Sequence, residues 1–279
     1  MRTSIGPYTV IRRLAGDVEG YLARSASGAD CEIRLYSSPG GTNFEQAQRE
    51  VGVCRRFDHG GVANPIAAFL AGSQLAVATA YTEGGTLGEL VQRMRSRGES
   101  LPIQALIYAV QEVAGALAVA HELDDEETGL MGMCHGHLSP DQIMVGMDGS
   151  IRLLGLGLAS LVGPEGIEPD DGYTAPEQRG GGRITPRGDI YSLCAVFWAV
   201  VADREPGGQP LDVASLGEVV PIALRDELRR GLAEKLSERK LTALELEQAF
   251  GAVTDPTGRA ALTHAMSEAG SRNSAPAPE

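Results

Sequence analysis

Residues 135–159 read HGHLSPDQIMVGMDGSIRLLGLGLA, and inside this stretch two short apolar runs, 142–145 and 151–154, flank Met147-Asp148-Gly149. An Asp-Gly step between two such runs is a turn signal, so the spacing predicts a β-hairpin. The chain on either side reads as helix. Upstream, Leu106, Val110, Val113, Leu117 and Ala120 share one face of a long helix that follows Glu83-Gly84-Gly85, with Thr86 as an N-cap. Downstream, residues 188–202 are apolar nearly all round, the pattern of a lobe's central helix, while 224–236 and 242–253 are amphipathic. A hairpin set among helices therefore marks a mainly helical lobe.

Further upstream the period changes. Residues 8–14, 21–24, 31–36 and 74–79 read as short strands. One helix interrupts them over about 43–57, where Phe44, Ala47, Val51 and Cys54 recur at helical spacing. The expected architecture is α+β and two-lobed: a small antiparallel sheet lobe with one helix over 1–83, a larger helical lobe over 84–252, and a segment 253–279. From about Ala265 the composition turns to Ser, Ala, Pro and charge, and a disordered tail is expected.

With 279 residues, 43% hydrophobic, the chain has enough apolar surface for two cores. Its net charge of −13 repels phosphate backbones and anionic lipid, which argues against a nucleic-acid or membrane partner. The four cysteines, Cys31, Cys54, Cys134 and Cys194, have no paired spacing and suit a reducing cytoplasm. No apolar stretch follows Arg2, so no secretory signal is expected, and the dense run 193–202 is too short to span a bilayer.

Four strings, in order, resemble the protein kinase fold and the bacterial serine/threonine kinases in particular. HGHLSPDQIMV at 135–145 resembles the catalytic loop, IRLLGLGLA at 151–159 the strand carrying the metal-binding Asp-Phe-Gly, GYTAPEQ at 172–178 the end of an activation segment, and GDIYSL at 188–193 the start of the central helix. The resemblance covers roughly residues 8–252.

The same alignment implies losses at the chemistry. The base aspartate of the catalytic loop is replaced by His137, and the two metal ligands by Gln142 and Gly155; magnesium, a hard cation, wants oxygen ligands that glycine lacks. The phosphate-covering glycine loop corresponds to Ala15, Gly16, Asp17 and on to Gly20, shortened and carrying carboxylates. The strand lysine is replaced by Arg34, and Glu32 takes the small-residue position on which adenine would rest; period-two geometry puts both on one face, where they are expected to pair. Arg34 has a second candidate partner in Glu50, which matches the helix glutamate. Gly136 replaces the arginine that grips an activation-segment phosphate, and Glu165, Glu168, Asp170 and Asp171 make that segment acidic.

The scaffold positions are kept. Glu177 and Arg239 match a buried ion pair, Asp189 the residue that holds the catalytic-loop backbone, and His135, Leu156 and Cys54 members of the hydrophobic spine. Cys134, His135 and His137 lack a second ligand pair and read as structural, so no metal and no cofactor is expected. The acidic stretch from Asp124 reads as a solvated loop.

The implied function is that of a bacterial, cytoplasmic pseudokinase, a non-enzyme that binds no Mg-ATP. It would act as a scaffold or allosteric regulator on a protein partner: a kinase, a phosphatase or a phosphoprotein-reading domain. The alternative is an enzyme of weak or unconventional nucleotide or phosphoryl transfer, with His137 or Asp141 in place of the lost aspartate.

Overall fold

The computed structural model describes residues 3–14, 18–37, 51–55, 57, 59–125, 130–158, 172–179, 182–207 and 209–270. The small lobe is a six-stranded antiparallel sheet in the order β1-β2-β3-β4-β6-β5, built from Ser4–Ile5, Tyr8–Leu14, Gly20–Arg24, Asp30–Ser37, Pro65–Ala71 (β5) and Gln74–Ala80 (β6). Strand alternation sends Cys31, Ile33 and Leu35 of β4 into a core with Tyr8, Tyr21, Ala23, Ala76 and Ala78. The Tyr8 ring stacks on Phe69 of β5, centroids 5.7 Å apart, so the sheet curls until its two flanks meet over that core. The opposite face of β4 presents Glu32, Arg34 and Tyr36. Of the expected helix, residues 51–55 are described and are helical, with Val51 packed beside Tyr36, Leu75 and Val77.

Between the lobes, β7 (Gly84–Thr86) pairs with β10 (Ile143–Gly146), which pairs with β11 (Ile151–Leu153). The hairpin is where the sequence puts it, with Gly149 at φ 74° in its turn. At Gly84 a Cβ would stand 2.0 Å from the Val145 carbonyl oxygen, so the connection between lobes needs glycine for close approach. Thr86 caps α1 (Leu87–Ser96) through a full capping box with Glu89.

The large lobe is organised on α2 (Ile103–His121) and α3 (Pro186–Ala202), with α4 (Ile222–Gly231) and α5 (Ala243–Gly251) packed on them. Helix α2 is long and apolar enough to cross a membrane, which corrects the expectation that no stretch qualifies. Ten of its residues are buried within the lobe, and it serves as a core helix. Helix α4 stops at Gly231, where a Cβ would meet Cys194 Sγ at 2.3 Å, five residues short of the expected end. The acidic stretch opens as a two-stranded ribbon, Asp124–Asp125 with Leu130–Met131.

The expected start of the tail is also corrected. A sixth helix, α6 (Thr257–Ala269), buries Gly258, Leu262, Ala265 and Met266 against the lobe. Residues 271–279 lie outside the described residues.

Candidate active site

The loop between α2 and the hairpin is held from behind by one buried carboxylate. Asp189, in the first turn of α3, accepts from the His135 N–H at 2.8 Å and the Gly136 N–H at 2.7 Å, and meets His121 Nε2 at 2.8 Å. Gly136 sits at φ 74°, a conformation that glycine adopts without a Cβ penalty, and its carbonyl accepts from Gln178 at 3.0 Å. The His135 ring is fixed in turn: Nδ1 accepts from the His137 N–H at 3.2 Å, which leaves Nε2 to donate to the Leu154 carbonyl at 2.7 Å. Burial lowers the pKa of His135, against the pull of Asp189, so the ring is a neutral structural strut.

His137 stands where the resemblance implies the base. Burial, and then the neighbouring His135, pull it down to about 4, leaving a neutral imidazole of low basicity at pH 7. His121, Cys134 and Asp189 bring a nitrogen, a sulfur and an oxygen within 4.8 Å of one another. They form a hydrogen-bonded support: three donors already occupy the Asp189 carboxylate, and burial pushes the Cys134 thiol up to about 12.

The resemblance implies a magnesium ion, and the residues present do not fit one. Gly155 has φ 77° and no ligand atom, and a Cβ built there would stand 3.2 Å from Gln142 Oε1, 3.5 Å from Leu158 Cδ1 and 3.8 Å from His135 Nε2. The amide end of buried Gln142 thus takes the space from which a carboxylate at 155 would reach out. One neutral amide oxygen, with no carboxylate at 155, does not replace the carboxylate and amide pair that a hard cation would need there.

Across the cleft, Arg34 Nε donates to Glu32 Oε1 at 2.8 Å, and Glu32 is buried. Burial lowers the arginine's pKa, but the opposing fields of Glu32, Tyr36 and Asp141 outweigh it and raise the value, while burial pushes Tyr36 up to about 12. Asp141 thereby enters the site from the large lobe. It is half-buried, and its Oδ1 accepts from the Thr86 hydroxyl at 2.9 Å. Sequence reading named Asp141 only as an alternative base; its contact with Thr86 spans 55 residues and leaves no local signal. His121, missed for the same reason, has only its place at the end of an apolar helix to suggest it.

Fully buried Arg239 pairs with partly buried Glu177 at 2.7 Å, and Cys54 Sγ lies 3.5 Å from the Leu156 carbonyl. Gly20 ends the loop between β2 and β3 and pairs with Leu14 and Arg34. Ala15, Gly16, Asp17, Glu50, Glu165, Glu168, Asp170 and Asp171 lie outside the described residues.

Comparison with known proteins agrees with this geometry. The protein kinase domain family matches residues 33–220. The serine/threonine-protein kinase PknL of Mycobacterium tuberculosis is 30% identical over 140 residues, 47% of this chain and 32% of that protein. The tyrosine-protein kinase MasK of Myxococcus xanthus is 23% identical over 256 residues, 86% of this chain and 40% of that protein. The chain therefore spans less than half the length of either relative. The crystal structure of the Mycobacterium tuberculosis PknI kinase domain superposes with a TM-score of 0.71 at 24% identity, covering 90% of this chain and 99% of that one, a likeness of fold.

The family match and the names of these relatives point to an enzyme, a protein kinase. They overturn the expectation of a non-enzyme pseudokinase that binds no ATP, which rested on the lost base at His137, the lost metal ligands at Gln142 and Gly155, Glu32 in the pocket and the degraded glycine loop.

Proposed function

Because this chain belongs to the protein kinase domain family, we propose that it is an enzyme of weak or unconventional phosphoryl transfer from a nucleotide. The observation that carries the reading is the placement of Asp141, held by the Thr86 hydroxyl at 2.9 Å, within the electrostatic field of Arg34 of the small lobe. Arg34 supplies a cation for phosphoryl oxygens. Asp141 supplies the carboxylate that takes the proton of an acceptor hydroxyl. His137, with a pKa of about 4, is the weaker candidate, because it is buried and lacks a carboxylate to raise it.

The test is transfer of the labelled γ-phosphoryl group of ATP to the chain itself or to a general protein acceptor. Slow incorporation is expected, falling about a hundredfold in Asp141→Asn, the size of a general-base contribution, and surviving in His137→Gln. No incorporation by the unaltered chain over hours would sink the reading.

A second reading is favoured by a contrast between two sets of residues. The Glu177–Arg239 pair and the Asp189 network are complete, while positions 142 and 155 carry no carboxylate. This suits a domain that also regulates a protein partner, itself a kinase, a phosphatase or a phosphoprotein-reading domain, by binding it. Four free thiols suit the same role in the cytoplasm. Adding the purified chain to an active bacterial serine/threonine kinase should change that kinase's rate, and an unchanged rate at micromolar concentrations of both would remove this reading.

A further inference from the structure

Each described group that could grip a divalent cation near the catalytic loop is already committed. Both nitrogens of His135 are used, one on the Leu154 carbonyl and one on the His137 N–H. Both oxygens of Asp189 accept from the backbone, and one also meets His121. Gly155 offers no atom, and the Gln142 amide fills the space beside it. His137 is an imidazole, a ligand that suits transition metals better than magnesium. The two carboxylates left in the cleft, Glu32 and Asp141, lie in the field of Arg34, so a divalent cation between them would face a guanidinium.

Arg34 is placed to do the cation's electrostatic work. Its Nε is spent on Glu32, while its terminal amino groups make no hydrogen bond to any described residue. The side chain is 15% exposed and stands on the same face of β4 as Glu32. A guanidinium with its fork unspent is a ready phosphate ligand.

We infer that this cleft takes its nucleotide as the free anion, with Arg34 rather than a protein-bound divalent cation meeting the phosphates. The inference rests on the enzymatic reading above and specifies the substrate form of the same site. Its consequence is thermodynamic: a protein that holds no cation gains nothing from one, so magnesium does not tighten nucleotide binding.

Calorimetric titration with ATP, once in EDTA and once in excess MgCl2, tests it. Affinities within about threefold of each other are expected, with EDTA the tighter, because magnesium removes charge that Arg34 would meet. Replacing Arg34 alone would remove the ion-pair partner at 2.8 Å from a buried carboxylate, so the informative variant is the double substitution Glu32→Gln, Arg34→Gln. It should weaken ATP in EDTA by at least about tenfold, or 1.4 kcal/mol, while Arg34→Lys, which keeps a charge, should weaken it less. Binding about tenfold tighter in magnesium would overturn the inference and leave the enzymatic reading standing. Absence of binding in both buffers at millimolar ATP would overturn the two together.

Discussion

Arg239 sets Nη1 2.7 Å from Glu177 Oε1 and Nη2 3.2 Å from Oε2, with its own side chain fully buried. The same guanidinium donates to the Ala233 and Arg187 carbonyls and lies over the Tyr191 ring at 5.0 Å. It thereby ties the turn Pro176–Arg179 to α3 and to the loop after α4. Removing it leaves a carboxylate and two carbonyls short of a donor. Arg239→Ala should cost about 3 to 5 kcal/mol, seen in thermal unfolding as a fall of roughly 10 °C. Arg239→Lys should recover little, since one ammonium cannot serve a fork of acceptors. Unchanged melting of the alanine variant would mean that this pair is not what joins the turn to the helices.

The buried imidazoles set a pH dependence of known sign. His137 is pulled down to about 4, and His135 is lowered too, in both cases chiefly by burial. Unfolded, each titrates near 6.5, so between about 4 and 6.5 the unfolded chain holds more protons than the folded one. Stability is then fully present above that window and is lost as pH falls through it. Urea unfolding at pH 5 should give about 1 to 2 kcal/mol less than at pH 7, and His137→Gln should reduce the difference. The lowered carboxylates Asp148, Glu245 and Asp255 act with the same sign, but from ordinary carboxylate values at the acid end of the window, so they add little at pH 5. Equal stability at the two pH values would refute the assignment.

Helix α6 is fastened at both ends. Arg259 Nη2 meets Asp148 Oδ2 in the hairpin turn at 3.2 Å, and at the other end Arg93 and Arg97 of α1 donate to the Gly270 and Glu268 carbonyls. Cations at a helix C-terminus suit its dipole, and here they belong to a neighbouring helix. Gly258 lies so close to α2 that a Cβ would stand 2.7 Å from the Gln104 carbonyl oxygen. A chain ending at residue 252 should therefore melt well below one ending at 270, since Leu262 and Met266 alone bury side chains worth about 1.5 to 3 kcal/mol each. Equal melting temperatures would mean that the lobe is complete at residue 252, as first drawn.

What could be read from the sequence follows how local the signal is. The hairpin turn at 147–149 and the N-cap at Thr86 are local chemistry, and both were legible. Strand Pro65–Ala71 was not, because three alanines and a leading proline give no β-propensity, and the strand is fixed by pairing with its neighbour. Helix α6 was hidden by its small residues: its apolar stripe is thin and gains its hold from arginines more than 160 residues away. At the site, the sequence showed the changed base position at 137 and the changed metal-ligand positions at 142 and 155. It did not show what stands near them, because Thr86 and Asp141 meet, and Asp141 enters the field of Arg34, only in the folded chain. An inventory of absences therefore led to a non-enzyme where the family match points to an enzyme.

Thr86 joins the two kinds of signal and gives a test that separates them. Its Oγ1 accepts from the Glu89 N–H at 3.2 Å, capping α1, and donates to Asp141 Oδ1 at 2.9 Å. Thr86→Ala removes both bonds, at a cost of about 0.5 to 2 kcal/mol for the cap alone. Thr86→Asn keeps a capping oxygen, which should restore most of the stability, but its longer arm changes the contact with Asp141. If Asp141 works as the base, its position matters as well as its presence: phosphoryl transfer should fall in both variants while melting recovers in the asparagine one. Thr86→Ser, which keeps the hydroxyl, should recover both. Transfer that instead tracks the melting temperature across the three variants would reduce Thr86 to a helix cap and leave Asp141 without its proposed support.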